Sequence, residues 1–199
     1  MTPKKATILI LCLLLFDQVT KLLVKCNMTI GESITVFPDW FFINFIENPG
    51  AAFGMQLGGD HGKLLLSLFR IVAVVLLSWY MHHLLRHKAP SGVVVGISMI
   101  IAGALGNIID SAFYGLIFSE STFTTVATLF PPGGGYAGFL HGKVVDMLYF
   151  PLFTLQNAPS WLAGPDGTWT FFSPVFNVAD SYITIAVIYL LLFQWKYFK

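Results

Sequence analysis

Charge is what this sequence has least of. Its 199 residues carry 11 Lys and Arg and 10 Asp and Glu, 11% charged, where a soluble domain carries about 25%. Apolar residues fill the gap at 56%, and mean hydropathy is +0.74, which places the chain among integral membrane proteins. A net charge of +1 and the absence of any basic tract exclude nucleic acid as a partner. The two cysteines, Cys12 and Cys26, would lie ~21 Å apart on one helix, beyond disulfide reach. His-Glu-x-x-His is missing, and His82, His83 and His87 have no acidic neighbours, which speaks against zinc. The glycine-bearing stretches 50–54 and 103–106 lack a P-loop lysine, and the second reads as a close helix-packing surface. A paired-Asp magnesium site would want more carboxylates and more basic residues than are present. No metal and no other cofactor is expected.

Four stretches are long and apolar enough to cross a bilayer core, which takes about 20 residues: 6–24, 64–85, 93–113 and 175–195. Lys4 and Lys5 before the first resemble a secretory leader, but no small-residue cleavage site follows, and Leu11 is too large to precede a lipid-bearing Cys12. It is read as an uncleaved span. Pro90-Ser91 breaks the chain before the third span, and Ser173-Pro174 offers a cap for the fourth. Basic residues gather before span one, between spans two and three, and after span four, as Lys4, Lys5, Arg86, Lys88, Lys196 and Lys199. The segment 27–62 has none, and 119–173 has only Lys143. Both termini are therefore expected in the cytoplasm.

The two extracytoplasmic segments carry strand signals at 33–37, 40–45, 149–155 and 168–172, rich in β-branched and aromatic residues. Loops are expected at Pro131-Pro132-Gly133-Gly134-Gly135 and at 157–167. The expected fold is membrane α-helical: a single domain over 1–199, with four transmembrane helices and a small extracytoplasmic β-sheet on the outer surface. Its aromatics would serve as interfacial anchors.

The polar residues inside the spans share one depth. Asp17 and Lys21 fall in the outer half of span one, Arg70 about two turns below the surface in span two, Asn107 and Asp110 near the outer end of span three, and Asn177 and Asp180 at the start of span four. A carrier would place ionisable groups near mid-membrane and lead them to both faces. A site acting on something in the outer leaflet looks like this instead. Ordinary pairing remains an alternative, with Asp17–Lys21 as an i,i+4 ion pair and Arg70 neutralising Asp110.

Two carboxylates stand out. Asp146 sits among Val144, Val145, Met147 and Leu148, and Asp180 is the only acidic or basic side chain in the apolar run 175–195. An acid at the edge of an apolar span marks a functional site by default, and two that lie close become one proton-sharing unit. The competing explanation for Asp180 is a helix-start acid three residues after an N-cap Asn177.

Five motifs occur in order: Asp17-Gln18-x-x-Lys21, Asn48-Pro49-Gly50-Ala51-Ala52-Phe53-Gly54, Gly103-Ala104-x-Gly106-Asn107-x-x-Asp110, Val144-Val145-Asp146 and Phe176-Asn177-x-Ala179-Asp180. Together they resemble the lipoprotein signal peptidases (signal peptidase II) of bacteria, over nearly the whole chain. The resemblance implies a membrane aspartyl endopeptidase of the bacterial inner membrane. It would cut prolipoproteins on the amino side of a diacylglyceryl-modified cysteine, with Asp146 and Asp180 as the catalytic pair. Asn48, Gly50, Asn107, Asp110, Asn177, Ala179, Asp17, Lys21 and Arg70 would bind substrate or order the site. Its partners would be prolipoprotein substrates and membrane lipids, and a monomer is expected. Two departures stand beside the match. The family commonly has arginine after the third-span acid, where this chain has Ser111, so Arg70 or Lys143 is expected to supply that charge. The stretches 119–141 and 157–167 look like insertions at the rim of the site.

Overall fold

A computed structural model describes the chain apart from residues 50–58, 160, 163, 165 and 166. Its helices are α1 (Pro3–Lys25), α2 (Gly59–Arg86), α3 (Ser91–Ile109), α4 (Gly115–Ile117) and α5 (Val178–Phe193). The strands are β1 (Ser33–Phe37), β2 (Phe41–Asn48), β3 (Val144–Tyr149), β4 (Phe153–Leu155) and β5 (Trp169–Phe171). α1, α2 and the α3–α4 run are each long and apolar enough to span a membrane. α5 is also apolar but has only 16 residues. That is about 24 Å of helix against a core of about 30 Å, and a 3-10 segment, Trp195–Phe198, follows it. This makes the fourth helix shorter than the 175–195 span expected from hydropathy.

α3 is the central helix, packed against α1, α2 and α5. Gly103 and Gly106 make the approach possible. A Cβ on Gly103 would strike the Ala179 carbonyl, and one on Gly106 would strike the Asp17 carboxylate. The apolar core at one end of the bundle joins Ala6, Met81, Leu84, Val93, Val94, Ile97, Ile101 and Leu190. Between α3 and α4 the chain widens into a π turn, Asp110–Tyr114, a local irregularity that often accompanies functional sites.

At the bundle's other end β1, β2 and β3 form an antiparallel sheet in that order. β2 and β3 align Ile46 with Asp146 and Asn48 with Val144. β3 is buried at its first four residues without alternation, so it begins earlier than the 149–155 strand expected. That stretch is interrupted at Pro151 before the short β4 pairs with β5. Loops occupy 131–135, as expected, and the described residues of 157–167 lie in loops and turns too. The segment after α4 folds back on the bundle end, its Phe118 bridged to Leu129. There it encloses the buried Lys25, which pairs with Glu47, takes Ser121 as a partner at 3.0 Å, and lies over the rings of Phe118 and Tyr136. The stretch 119–141, which looks like an insertion in the sequence, thus contributes to the scaffold under β2.

Candidate active site

The start of α5 fixes one of the two carboxylates. Asn177, in extended backbone, accepts the Asp180 N–H on its side chain at 2.9 Å. The Asp180 carboxylate accepts the Asn177 N–H in return at 3.4 Å, completing a capping box. The helix begins there rather than at Ser173-Pro174, because Phe176 is held in a bridge with Leu148 of β3. Leu148 N–H donates to the Phe176 carbonyl at 2.7 Å and Phe176 N–H to the Leu148 carbonyl at 3.1 Å. That bridge fastens the N-cap of α5 two residues from Asp146.

Asp146 is buried at 4% exposure. One carboxyl oxygen accepts the Asn177 side-chain amide at 2.7 Å, and the other accepts Asn48 at 3.3 Å. Burial first, then the neighbouring Asp180 charge, push its carboxyl up to about 7, against the pull of Asn177, Asn48 and Lys21. Asn107 completes the cluster: its amide nitrogen donates to Asp180 at 2.8 Å, and its side-chain carbonyl accepts Asn177 at 3.1 Å and Lys21 Nζ at 2.9 Å. Asp146 and Asp180 thus hang on one chain of amides.

Beneath it lies a buried ion triad. Lys21 Nζ is 2.8 Å from Asp110 and 3.1 Å from Asp17, all three fully buried. The remaining oxygens are used as well. Asp17 accepts the Ala179 N–H at 2.9 Å, Asp110 accepts the Val145 N–H at 3.2 Å, and Gln18 donates to both acids. The i,i+4 pairing of Asp17 and Lys21 is therefore present, and it also pins α5 and β3. Arg70 does not neutralise Asp110, because Lys21, rotated toward α3, already does. Arg70 of α2 is half-buried, makes no hydrogen bond or ion pair among the described residues, and lies within electrostatic reach of Asp180, Asp146 and Asp110. Lys143 pairs with Glu47 at 3.4 Å and Glu120 at 3.2 Å, away from the two acids. Ser111 donates to the Asn107 backbone carbonyl at 3.0 Å.

Of the expected site residues, Asn48, Asn107, Asp110, Asn177, Ala179, Asp17, Lys21, Asp146 and Asp180 share this network, and Arg70 lies within electrostatic reach of it. Gly50 lies outside the described residues, as does most of the stretch expected to form a lid after Gly54. Two contributors escaped the sequence reading. Gln18 enters the sequence analysis only as a motif letter, and the pairing of Lys25 with Glu47 behind Asn48 has no local spacing signal.

The sequence profile of signal peptidase (SPase) II matches residues 9–196. A lipoprotein signal peptidase of Porphyromonas gingivalis (strain ATCC 33277) is 50% identical over 191 residues, covering 94% of this chain and 81% of that protein. One from Amoebophilus asiaticus (strain 5a2) is 36% identical over 174 residues, covering 86% and 69%. Among solved structures, a bacterial membrane enzyme determined by the in meso method at 1.9 Å superposes with a TM-score of 0.62 at 26% identity, over 96% of this chain and 92% of that one. With the profile covering almost its full length, this chain belongs to the signal peptidase II family, the lipoprotein signal peptidases.

Proposed function

We propose that this chain removes signal peptides from bacterial prolipoproteins, cleaving on the amino side of a diacylglyceryl-modified cysteine with Asp146 and Asp180 as an aspartic dyad. The observation that carries the reading is the shared amide chain: Asn177 holds Asp146, Asn107 holds Asp180, and the two asparagines hold each other. Two carboxyls so coupled retain one proton between them near neutral pH. The ionised one takes a proton from a water between them, and that water attacks the scissile carbonyl. The protonated one polarises the carbonyl oxygen and afterwards passes its proton to the leaving amine. The amides of Asn48, Asn107 and Asn177 orient the carboxyls without adding charge.

The basic-residue asymmetry supports cytoplasmic termini and an extracytoplasmic sheet, with the site opening at the outer leaflet of the inner membrane. Exposed apolar side chains such as Phe69, Val72 and Leu65 of α2 give acyl chains a surface beside it. A single chain supplies every group in the scheme, which accords with a monomer.

The test uses purified enzyme in detergent with a diacylglyceryl-modified prolipoprotein and its unmodified counterpart. The modified substrate should be cut at the amino side of the cysteine, the unmodified one at least about tenfold more slowly, since losing buried methylenes costs roughly 0.8 kcal/mol each. Chelator should leave the rate unchanged. Absence of cleavage, with movement of a lipid or an ion instead, would replace this reading with that of a carrier.

A further inference from the structure

β2 enters its pairing with β3 in one register and leaves it in another. Phe42 stands opposite Tyr149 and Ile43 opposite Leu148, but Ile46 stands opposite Asp146, Glu47 opposite Val145 and Asn48 opposite Val144. One extra residue of β2 is taken up between Ile43 and Ile46, a bulge of the kind that re-aims a side chain beside an active site. Continued without it, the first register would set Phe45 against Asp146 and Asn48 against Lys143. A one-residue slip carries every side chain to the other face, so Glu47 would then turn to the site and Asn48 to the interior. Resting on the dyad reading, we infer that the buried Lys25–Glu47 pair is the register lock of β2: it holds the bulge in place and thereby turns Asn48 toward Asp146. Both are positioning residues that act through Asn48.

Hydrophobicity chooses only weakly between the two registers. Phe45 is fully buried in one apolar cluster with Val145 and Met147, but Ile46 is also apolar and would take its place after a slip. Phe45 accepts the Gly31 N–H at 2.8 Å and donates its own to the Glu32 carbonyl at 3.0 Å. Backbone groups do not distinguish one residue from the next, so these bonds do not fix the register either. The bulge is also costly in itself: Asn44 keeps a buried side-chain oxygen with no hydrogen-bond partner among the described residues.

Glu47 is the residue that only one face can accept. One carboxyl oxygen pairs with Lys25 Nζ and accepts the Ser121 hydroxyl at 2.9 Å, and the other lies 3.4 Å from Lys143. Lys25 is fully buried, donates to Ser121 at 3.0 Å and lies over the rings of Phe118 and Tyr136. It continues the α1 stripe of Asp17 and Lys21 at intervals of four, so one helix face holds both the triad and β2. In the slipped register the Lys25 charge would stay buried without its anion, which is strongly unfavourable. Fixing a register is the best-attested use of a buried polar group.

Cross-linking of the purified protein in detergent reads the register directly and needs no turnover. With Cys12 and Cys26 replaced by serine, Asn48→Cys and Val144→Cys stand directly opposite and within disulfide reach. Asn48→Cys with Lys143→Cys reports the slipped register instead. With Lys25 and Glu47 intact, the first pair should oxidise nearly completely and the second hardly at all. In Lys25→Met/Glu47→Leu, which leaves neither charge stranded, the second pair should cross-link in a comparable share of molecules. Glu47→Gln keeps the strand's shape and should shift the same way, serving as the second variant if the first does not fold. Exclusive cross-linking of the first pair in either folded variant would overturn the lock. In a cleavage assay with Asn48 present, Lys25→Met/Glu47→Leu should lose about 10²-fold in kcat with KM little changed, and adding it to Asn48→Ala should cost nothing further. Losses that multiply would overturn action through Asn48, because a merely structural role would lower the thermal midpoint and leave kcat per folded molecule unchanged. If cross-linking follows the expected pattern and wild type cuts no prolipoprotein, the peptidase reading fails and the lock stands. If wild type cuts and cross-linking does not respond, the lock fails and the peptidase reading stands.

Discussion

Asn177 donates its side-chain amide to Asp146 at 2.7 Å while its own side-chain oxygen caps α5 by accepting the Asp180 N–H. One residue thereby sets both carboxyls, and its two tasks separate chemically. Serine caps a helix nearly as well as asparagine, but it is too short to reach Asp146. Asn177→Ser should keep its thermal midpoint close to wild type and lose roughly 10- to 100-fold in kcat, the scale of a mispositioned acid. Asn177→Ala should lose a similar factor and also about 1 kcal/mol of stability. Thermal unfolding and cleavage measured on the same preparations check both, and full turnover by the serine variant would remove Asn177 from the positioning of Asp146.

Lys21 lies between two buried acids, and each of those also holds a backbone N–H, of Ala179 and of Val145. Removing the lysine leaves two uncompensated buried carboxylates, so Lys21→Met should cost about 3–5 kcal/mol. Adding Asp17→Asn and Asp110→Asn to Lys21→Met removes the stranded charge and should recover part of that loss. Thermal unfolding in detergent of the single and triple variants decides it; equal loss in both would mean that the triad's charge is not what matters.

Asp146 links stability to pH with a definite sign. Its folded-state carboxyl stands at about 7 against an ordinary 3.8, so the folded protein holds a proton that the unfolded chain gives up between those values. The associated stability is fully present below about pH 4 and is lost as pH rises through about 7. Asp146→Asn, neutral at every pH, should therefore melt higher than wild type above pH 7, with the gap closing toward pH 4. A gap independent of pH would contradict burial as the source of the shift.

Much of this arrangement is legible in the sequence, and the illegible part has one cause. The long spans follow from hydropathy, the cap from the three-residue spacing of Asn177 and Asp180, and the Asp17–Lys21 pair from helical periodicity. Each of these depends only on local spacing. The partnership of Lys21 with Asp110 depends on how α1 is rotated against α3, which spacing does not give, and so Arg70 looked like the natural partner. β3 was hidden because it is buried at its first four positions, Asp146 among them, and shows no alternation. Lys25 directly follows the expected first span, and only tertiary packing buries it against Glu47 and two rings.

Orientation can be checked on a background in which the exposed Cys12 and Cys26 are serine. Cysteines at the exposed Gly133 and Gly164 should react with an impermeant maleimide from outside intact cells. A cysteine at exposed His87 should react only after permeabilisation; it is a better probe of that loop than Ala89, which is 5% exposed. Protection of Gly133→Cys in intact cells would place the two carboxyls on the cytoplasmic side, where no outer-leaflet substrate could reach them.

Central to the proposed mechanism is that the two aspartates act as one unit. Asp146→Asn and Asp180→Asn are near-isosteric and keep hydrogen-bonding capacity, so each protein should fold and enter the membrane. What each lacks is a group able to share or accept the proton. Losing one acid/base partner typically lowers the rate about 10²- to 10⁴-fold, and members of a single unit do not add. The measurement is the single-turnover rate of cleavage of a diacylglyceryl-modified prolipoprotein by wild type, both single variants and the double variant. Near-abolition in each single variant, with the double scarcely slower than either, is the predicted result. Full cleavage by Asp146→Asn or by Asp180→Asn would contradict it.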